Sequence, residues 1–492
     1  MNGVINYLNT KGYDVDTSYY TYIKKWIDIW KGKAEWLTVK TIDGTNYPMY
    51  TLNIAKRSCE DLASMITSEP FTIKATQNDE MLQKDLKEAK ILENLSKMIE
   101  IMGYTGTVGS VARIINAEIV GEGETATLKR GAKTKIRNII VKADQIIPLT
   151  FDNGEVINCA FVSKTKKKIN GKVKTLDYME LHELEDRGYQ ITNKYFDETG
   201  TEIEIEGVLE TYNTLSQKPL FNLKKLEKEN PIDNNNNLGL ALYGGANDQL
   251  IITDLTYNNF GMDFKLGQKL LLINKKLTKI VTEEYTDKDG QIKERQKVLY
   301  PSDIQKQQFM DITDGVMGNP NENPYVYEYN PDLRVGDNKE GVQFALNTYS
   351  FEIGFGTDFY NFENGKVYTN TMSIMTSRKD LVDNMNKVRK SINEFLKGIC
   401  QSLLLCEKIL GDASINENQD IEVAEVDGFM QDDETERSKL QQDYSMGAIT
   451  MKRYLMKAYK MTEAEALKEI ADRKAEDGIS SIDLNDEPII EE

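Results

Sequence analysis

The sequence predicts an α+β fold in which an antiparallel sheet is inserted among helices. Up to about residue 100, the apolar residues recur at helical spacing. Between about residues 103 and 212 their spacing shifts towards two, and turn sequences such as Asn-Gly separate the apolar runs, as in antiparallel hairpins. From about residue 246 a proline-free apolar segment resumes the helical spacing. These three observations place a sheet between two helical regions.

Three helices are expected in the first hundred residues. The first, 19–30, is amphipathic and rich in aromatic side chains, and Trp36 follows it closely. The second covers about 53–68 and stops before Pro70, because a residue that precedes proline disfavours the helical conformation. The third covers 79–102. We expect the aromatic helix to pack against its own domain, the alternative being an exposed partner site.

Five strands are expected in the second region, because β-branched and aromatic residues recur there at a spacing close to two. Turn residues lie at 152–154, 170–171 and 198–200, and two of these turns contain dipeptides that are typical of hairpins. The predicted strands are 111–115, 136–141, 156–162, 175–182 and 189–196.

The most informative segment is 239–248, together with the helix that it opens at about 246–273. Two apolar stripes run along this predicted helix on roughly opposite sides. The first contains Leu250, Tyr257, Phe264 and Leu271 with Ala246 and Phe260, and the second contains Ile251, Leu255, Met262 and Leu266. A surface helix needs one stripe, so two stripes predict contact on both sides. At 1.5 Å per residue the helix would be about 40 Å long, which fits a strut between neighbours.

Beyond this helix, the pattern predicts a hairpin (about 278–301), an irregular segment (315–324), a short strand (325–329) and a second helix (339–353). An aromatic loop (354–365), a further long helix (371–410) and an acidic helical end follow.

Little in the sequence points to catalysis. His182 is the only histidine and lies in a strand pattern, so we expect it to be packed or solvated, and His-dependent triads and zinc sites are nearly excluded. The four cysteines lack CxxC spacing and predict buried free thiols. No apolar run reaches the length of a membrane span, and the first residues do not have the pattern of a secretory signal.

Two segments have a superficial likeness to ligand-binding loops. The glycine-bearing segment 103–110 lacks the lysine of a P-loop and precedes a strand rather than a helix, so nucleotide binding is not expected. The turn 287–290 is reminiscent of a calcium loop, but Val298 stands where the last ligand, a glutamate, would be. No carboxylate pair stands out as a catalytic dyad. The residues alone therefore favour a non-enzymatic assembly protein without a cofactor or metal.

The net charge of −18 argues against a protein that wraps nucleic acid by neutralising its phosphates. This charge is compatible with a protein that lets DNA slide past without gripping it.

Six segments, spread over nearly the whole chain, carry a family resemblance. They are the aromatic helix with Trp26, Trp30 and Trp36, the helix 53–66 closed by 68–70, the strand and turn 143–154, the helix 239–274, the junction 367–375 and the C-terminal pair 432–450. Their order resembles that of the portal proteins of tailed bacteriophages, specifically the group from phages of low-GC Gram-positive bacteria. The segment 102–109 departs from the family, whose members tend to have consecutive glycines there.

The resemblance implies a ring, typically dodecameric, at one vertex of the capsid in the virion. Double-stranded DNA enters through this ring during packaging and leaves through it during ejection. The implied domains are a wing (1–245 with 371–405), two stem helices (246–274 and 337–354), a clip (275–336), a tunnel loop (355–370) and a crown with the C-terminal tail (406–492).

The resemblance also implies the partners and the place of assembly. The partners are other copies of this chain, double-stranded DNA, the large terminase subunit, the head–tail connector, and the major capsid and scaffolding proteins. Assembly would take place in the host cytoplasm, with no membrane involved.

Three sets of residues are expected to carry this function. The stem interface contains Leu250, Leu255, Tyr257, Phe260, Phe264 and Leu271. The channel loop contains Phe355, Asp358, Phe359, Tyr360, Asn361, Phe362 and Lys366, of which Lys366 would be a weak phosphate contact. The clip set contains Tyr285, Asp287, Lys288, Arg295 and Tyr300.

The channel loop is expected to be mobile, because glycines at both of its ends release the backbone. Its aromatic side chains are expected to touch adjacent copies in the ring, since together they are too much apolar surface to leave in water. The alternative is an ordinary loop that folds onto its own domain.

Two other functions are left open by the residues. One is a phage-encoded nuclease with a carboxylate-bound metal, which would need carboxylates at strand ends near a lysine. The other is a scaffold or adaptor protein with no role on DNA.

Overall fold

The computed structural model describes residues 2–476, with gaps at 41–43, 69, 122–126, 153, 170, 206–207, 233–237, 275–278, 287–289, 300–308, 313–325, 363–378, 413, 425–432, 460 and 462. The chain divides into two compact units. The first contains Met1–Thr67, Ile73–Gly365 and Asp383–Val423, and the second contains Ser68–Thr72, Lys366–Val382 and Ala424–Glu492. Helices and antiparallel strands both contribute to the first unit, which confirms the α+β class.

Five helices are described in the first hundred residues: α1 (Asn2–Thr10), α2 (Tyr20–Trp30), α3 (Ile54–Ile66), α4 (Asp79–Glu88) and α5 (Ile91–Thr105). The aromatic helix and the second helix are confirmed near their predicted bounds. The single helix predicted over 79–102 is wrong, because Lys90 adopts a left-handed conformation, with φ of 54°, and separates α4 from α5. Trp36 lies in a short 3-10 turn, Glu35–Leu37.

The strands that precede the long helix begin with β1 (Thr38–Lys40), β2 (Asn46–Pro48), β3 (Thr72–Ala75), β4 (Thr107–Ile115), β5 (Glu118–Val120), β6 (Thr127–Lys129) and β7 (Lys135–Lys142). They continue with β8 (Ile146–Asp152), β9 (Glu155–Ile169), β10 (Lys172–Glu185), β11 (Gly188–Phe196), β12 (Thr211–Asn213) and β13 (Phe221–Lys225). The five predicted strands are confirmed as β4, β7, β9, β10 and β11. Two antiparallel sheets dominate, with the orders β12-β11-β10-β9-β8 and β13-β4-β7.

The five-stranded sheet buries side chains on both faces. On one face, Val162 and Met179 pack against Val4 and Leu8 of α1. Each fully buried aliphatic side chain contributes about 1.5–3 kcal/mol of transfer free energy. On the other face, His182 is fully buried, and its ring meets Phe221 of β13 edge-on at 5.3 Å. The prediction of a packed or solvated histidine is therefore confirmed in its packed form.

The segment 103–110 is not a loop, which corrects the sequence interpretation. Its first three residues end α5, Gly106 forms the cap with φ of 79°, and β4 begins at Thr107. A Cβ atom on Gly106 would lie 2.0 Å from the carbonyl oxygen of Gly239. The amide of Gly239 in turn donates a hydrogen bond to Oγ1 of Thr107 at 2.7 Å. The glycine-led segment before the long helix therefore docks directly on the α5–β4 junction.

The long helix is shorter than predicted. α6 spans Asn247–Leu266 and is capped at Gly267, and residues 270–274 form the strand β14 (Leu270–Asn274) instead of further helix. β14 lies between β17 (Phe309–Ile312) and β18 (Val326–Tyr329). A run of four apolar residues fits a helix or a buried strand equally well by its pattern, and strand pairing settles this one.

The rest of the insertion and the C-terminal region follow the predicted order. β15 (Lys279–Thr286) and β16 (Ile292–Leu299) form the predicted hairpin, and α7 (Val335–Glu352) is the predicted second helix. The next helix, α8 (Lys379–Ile409), ends where predicted, and β19 (Ile421–Ala424) pairs with β3. The second unit contains α9 (Asp433–Ser445), α10 (Met451–Ala458) and α11 (Glu463–Glu476). Thr450 caps α10 by accepting a hydrogen bond from the amide of Arg453.

Candidate assembly surface on the helix pair

α6 and α7 pack against each other as an antiparallel pair. At one end, Asp263 of α6 accepts hydrogen bonds from the backbone amide of Arg334 at 3.0 Å, from its guanidinium at 3.1 Å and from Nδ2 of Asn338 at 3.0 Å. These hydrogen bonds lower the pKa of Asp263. At the other end, Gly245 lies close to the side chain of Glu352. The pair is thus tied by hydrogen bonds at the Asp263 end, where the insertion with β14–β18 leaves and returns.

The inner face of α6 is anchored by a buried carboxylate. Asp254 accepts a hydrogen bond from Nε1 of Trp36 at 3.0 Å and another from Oγ1 of Thr51 at 2.6 Å. Burial raises the pKa of Asp254, although both hydrogen bonds oppose this shift. Leu250 and Thr253 are buried on the same side of the helix. Trp36, noted in the sequence only as an aromatic neighbour, therefore fixes the orientation of α6.

The outer face of α6 exposes an apolar stripe. Ile251, Ile252, Leu255 and Leu266 are all exposed, and Leu255 retains 47% of its accessible surface. Three members of the second predicted stripe, Ile251, Leu255 and Leu266, thus lie in solvent in the single chain, and its fourth member, Met262, is half-buried. The first stripe contains the buried Leu250. An exposed stripe opposite a buried face can pack against a second molecule without disturbing the fold.

The predicted stem residues are distributed over both faces. Leu250 is buried, Tyr257 and Phe260 are half-buried, and Leu255 is exposed. Phe264 is also exposed and meets Phe260 edge-on at 5.1 Å. Leu271 lies on β14 and not on the helix, so its placement in the stem helix is wrong.

α7 exposes two phenylalanines that the sequence analysis missed. Phe344 and Phe351 retain 70% and 67% of their accessible surface, whereas Leu346 and Tyr349 on the other side of the helix are buried. The two phenylalanines are seven residues apart and therefore share one face. This spacing was a usable signal, but only the packing of Tyr349 identifies that face as the outer one.

A cavity of about 340 Å³ lies between the two helices. Its lining is largely apolar and includes Lys339, whose side chain is long enough to reach water from an apolar wall. The lining residues are Leu52, Tyr257, Phe260, Lys339, Val342, Gln343 and Phe362.

The aromatic loop packs largely onto its own chain, which corrects the expectation that its four aromatic side chains would together need neighbouring copies. Phe355 is buried and lies 4.8 Å from the ring of Phe359. Tyr360 stacks near Tyr349 and donates a hydrogen bond to Asp61 of α3 at 3.1 Å. These long-range partners are not visible in the local sequence.

The remaining residues of the channel-loop set are exposed or undescribed. Phe362 retains 74% of its accessible surface, and Asp358 and Asn361 are exposed as well. Lys366 lies outside the described residues.

Part of the predicted clip set lies on the hairpin β15–β16. The guanidinium of Arg295 lies 5.3 Å from the ring of Tyr285 and forms an ion pair with Glu283 at 3.2 Å. Ile292 near the hairpin tip is exposed. The other clip residues, Asp287, Lys288 and Tyr300, lie outside the described residues.

A buried ionic cluster joins the two main sheets. Glu180 of β10 forms an ion pair with Arg113 of β4 and a hydrogen bond of 3.0 Å with Nε2 of His182. Burial alone would raise the pKa of Glu180, but Arg113 and His182 hold it at about 2. The sequence analysis missed this cluster, because Arg113 lies on another strand, far from Glu180 and His182 along the chain.

Within the described ranges, no group of three or more His, Cys, Asp and Glu side chains could hold a metal ion. No helix in that part of the chain is long and apolar enough to cross a membrane. The cysteines Cys59, Cys159, Cys400 and Cys406 are buried free thiols, as predicted, and burial raises the pKa of each.

Comparison with known proteins gives little to add to this geometry. No protein-family model and no curated protein matches the sequence. Among solved structures, a chain from the neck of a native GTA particle, computed with C12 symmetry, is similar over 82% of this chain and 88% of its own length. Its TM-score is 0.39 and its sequence identity 10%, a level of similarity that supports no functional conclusion.

Proposed function

We propose that this protein is the subunit of a phage portal, a ring at one capsid vertex that conducts double-stranded DNA during packaging and ejection. The observation that carries the proposal is the exposed apolar stripe on α6, formed by Ile251, Ile252, Leu255 and Leu266, on a helix whose inner face is already buried. Exposed apolar side chains grouped on one face are typical of protein–protein contacts. In this proposal, α6 and α7 are the stem, and the stripe packs against another copy of the chain.

A ring needs two different contact surfaces on each subunit, because head-to-tail contacts close into rings whereas one self-complementary patch gives a dimer. The helix pair offers two such surfaces, the α6 stripe and the outer face of α7 with Phe344 and Phe351. We expect the α6 stripe of one copy to pack against the α7 face of the next. The subunit number of twelve comes from the sequence resemblance.

A DNA conduit must not hold its cargo tightly. The net charge of −18 supports this role, since few phosphates are neutralised by a strongly acidic chain. In the proposal, 355–370 is the tunnel loop. Its exposed Phe362 faces the channel, and Lys366 makes a weak phosphate contact that salt screens.

The insertion between α6 and α7 is the clip in this proposal. Its hairpin β15–β16 exposes Tyr285 and Ile292 near its tip. We propose that this hairpin docks the large terminase subunit during packaging and the head–tail connector afterwards. The wing would face the major capsid and scaffolding proteins.

Negative-stain electron microscopy and mass photometry of the purified chain test the proposal. We expect rings with a central hole. Leu255→Asp would place an unpaired charge in the subunit interface, at a cost on the order of several kcal/mol, and should give smaller species.

Leu92→Asp is the matched control, because Leu92 is a leucine of similar exposure, 44% against 47%, on a helix outside the pair. It should leave the rings intact. A parent chain that stays monomeric would contradict the portal proposal and favour an adaptor role. Rings of unchanged mass in the Leu255→Asp variant would contradict the stem assignment.

A further inference from the structure

The hairpin formed by β9 and β10 ends in a two-stranded ribbon. β8 pairs with β9 only as far as Phe161, and β11 pairs with β10 only from Asp177 onwards. Between these points and the turn at Gly171, the two strands pair only with each other. The stretch in which neither strand has another neighbour covers 165–169 and 172–176, five residues on each strand, so the ribbon extends about 17 Å beyond the sheet.

The ribbon is strongly basic in an acidic protein. Residues 164–174 contain six lysines and no aspartate or glutamate, although the whole chain has 79 acidic and 61 basic residues. Five of the lysines are exposed and Lys167 is half-buried, with its ammonium 5.9 Å from the ring of Tyr195. The six are Lys164, Lys166, Lys167, Lys168, Lys172 and Lys174. This concentration of one charge is a separate feature from the helix pair.

Strand register distributes the lysines over both faces of the ribbon. Lys164, Lys166 and Lys168 alternate along β9 and therefore share one face. Lys174 lies directly opposite Lys167 on the other face. Like charges directly opposite each other destabilise an antiparallel pair. Lys164 lies opposite Asp177, and Lys174 interacts with Asp197, whereas Lys166 and Lys168 lie opposite the uncharged Thr175 and Val173. A bound polyanion would relieve the repulsion between Lys167 and Lys174.

The chemistry of the ribbon favours nucleic acid over an acidic protein. Protein interfaces are enriched in aromatic residues and arginine and are depleted in lysine at their core, whereas Val173 is the one large apolar residue exposed on the described part of the ribbon. Lysines without accompanying bidentate groups bind phosphates as point charges and read no base sequence. A two-stranded β-ribbon also fits into the major groove of DNA.

We propose that the lysine ribbon 164–174 binds the phosphate backbone of double-stranded DNA without sequence preference, at a surface distinct from the proposed channel. This second contact does not depend on ring formation. The acidic remainder of the chain repels DNA, so outside the proposed channel the ribbon is the surface that binds it.

The test uses the full chain and a covalently closed circular DNA, which cannot thread a preformed ring. Binding is measured by gel shift between about 50 and 200 mM salt. We expect the triple variant K166Q/K168Q/K174Q to bind at least tenfold more weakly at the lowest salt. Its slope of log affinity against log salt should be smaller by about 3, since each phosphate contact contributes about 0.9.

The triple variant K24Q/K25Q/K33Q is the matched control, since it removes the same charge at exposed lysines elsewhere. It should retain the affinity and the salt slope of the parent. Lys174→Thr alone should weaken DNA binding less than the triple variant does, because it removes one of the three charges.

Three results would overturn the proposal. They are a parent chain that does not bind the circular DNA at low salt, a ribbon variant with unchanged affinity and slope, and a control variant that loses as much as the ribbon variant. If the ribbon variant instead loses binding only to polyglutamate, the partner is an acidic protein. None of these results bears on whether rings form.

Discussion

Asp263 near the end of α6 and Arg334 immediately before α7 are joined by two hydrogen bonds, one from the backbone amide and one from the guanidinium. The two residues are 71 positions apart, and the whole β14–β18 insertion lies between them. This contact closes the insertion at its base. The helix pair can therefore be expected to fold without help from the hairpin at the far end.

Deletion of residues 286–293, which removes the hairpin tip, should leave the melting temperature and the ring assembly unchanged, because the Asp263–Arg334 contact is retained. Binding of the large terminase subunit and of the head–tail connector should be lost in a pull-down with the purified partners. Asp263→Ala is the control, because it opens the base of the insertion but keeps the hairpin. It should lower the melting temperature and retain partner binding. Unchanged partner binding by the deletion variant would contradict the clip assignment.

Phe355→Ala and Phe362→Ala should separate the structural part of the aromatic loop from its exposed part. Phe355 is buried, so its truncation should lower the free energy of unfolding by about 3–5 kcal/mol. Phe362 is exposed, so its truncation should change stability by less than about 0.5 kcal/mol. Urea unfolding measures both. Equal losses would show that Phe362 packs onto its own chain.

In a DNA packaging assay, the Phe362→Ala variant should be impaired although it folds normally. Packaging at the rate of the parent would argue against placing this residue in the channel.

Gly106→Ala should be far more damaging than Gly171→Ala, although the two glycines have nearly the same φ, 79° and 78°. Both substitutions strain the backbone by about 1–3 kcal/mol. A Cβ atom on Gly171 meets open space, whereas one on Gly106 would collide with the backbone of Gly239. We expect Gly106→Ala to cost at least about 3 kcal/mol more in urea unfolding. Similar urea midpoints of unfolding for the two variants would mean that the contact between Gly106 and Gly239 can open freely.

Asp85 should make stability depend on pH. Burial and the neighbouring Glu407 raise the pKa of Asp85 to about 7, above its usual value near 4. The folded state therefore binds more protons between about pH 4 and 7, so the contribution of Asp85 to stability is lost as the pH rises through this window.

Asp85→Asn removes the buried charge and should raise the melting temperature clearly at pH 8 and little at pH 5. Glu80→Gln, at an exposed acid on the same helix, should show no such difference between the two pH values. A gain of equal size at both pH values would assign the effect to something other than ionisation.

The sheet was predictable because apolar and polar residues alternate along its strands, and because its turns contain residues with strong turn preferences. β9, β10 and β11 therefore lie where the apolar spacing places them, although β9 and β10 extend further towards their shared turn. The end of α6 was not predictable, since the pairing of Leu270–Asn274 with β17 and β18 depends on residues that are far away in the sequence. The break at Lys90 also lacks a glycine or proline signal.

One of the two properties of the candidate assembly surface was predictable from the sequence. Two apolar stripes on α6 could be read from spacing, but spacing could not show which stripe the chain itself covers. That is decided by Trp36 and Thr51, which hydrogen-bond Asp254 from more than two hundred residues away in the sequence. The aromatic loop shows the same limit, since Asp61 and Tyr349 hold it against its own chain.

The four buried thiols make this chain convenient for spectroscopy. Alkylating dyes react with accessible thiolates, and burial disfavours both the access and the ionised form at every native cysteine. A cysteine introduced at an exposed position such as Asp358 or Tyr285 would therefore accept a fluorophore selectively, with no native cysteine replaced. Energy transfer between dyes on separate copies would then report subunit spacing in real time while DNA is loaded.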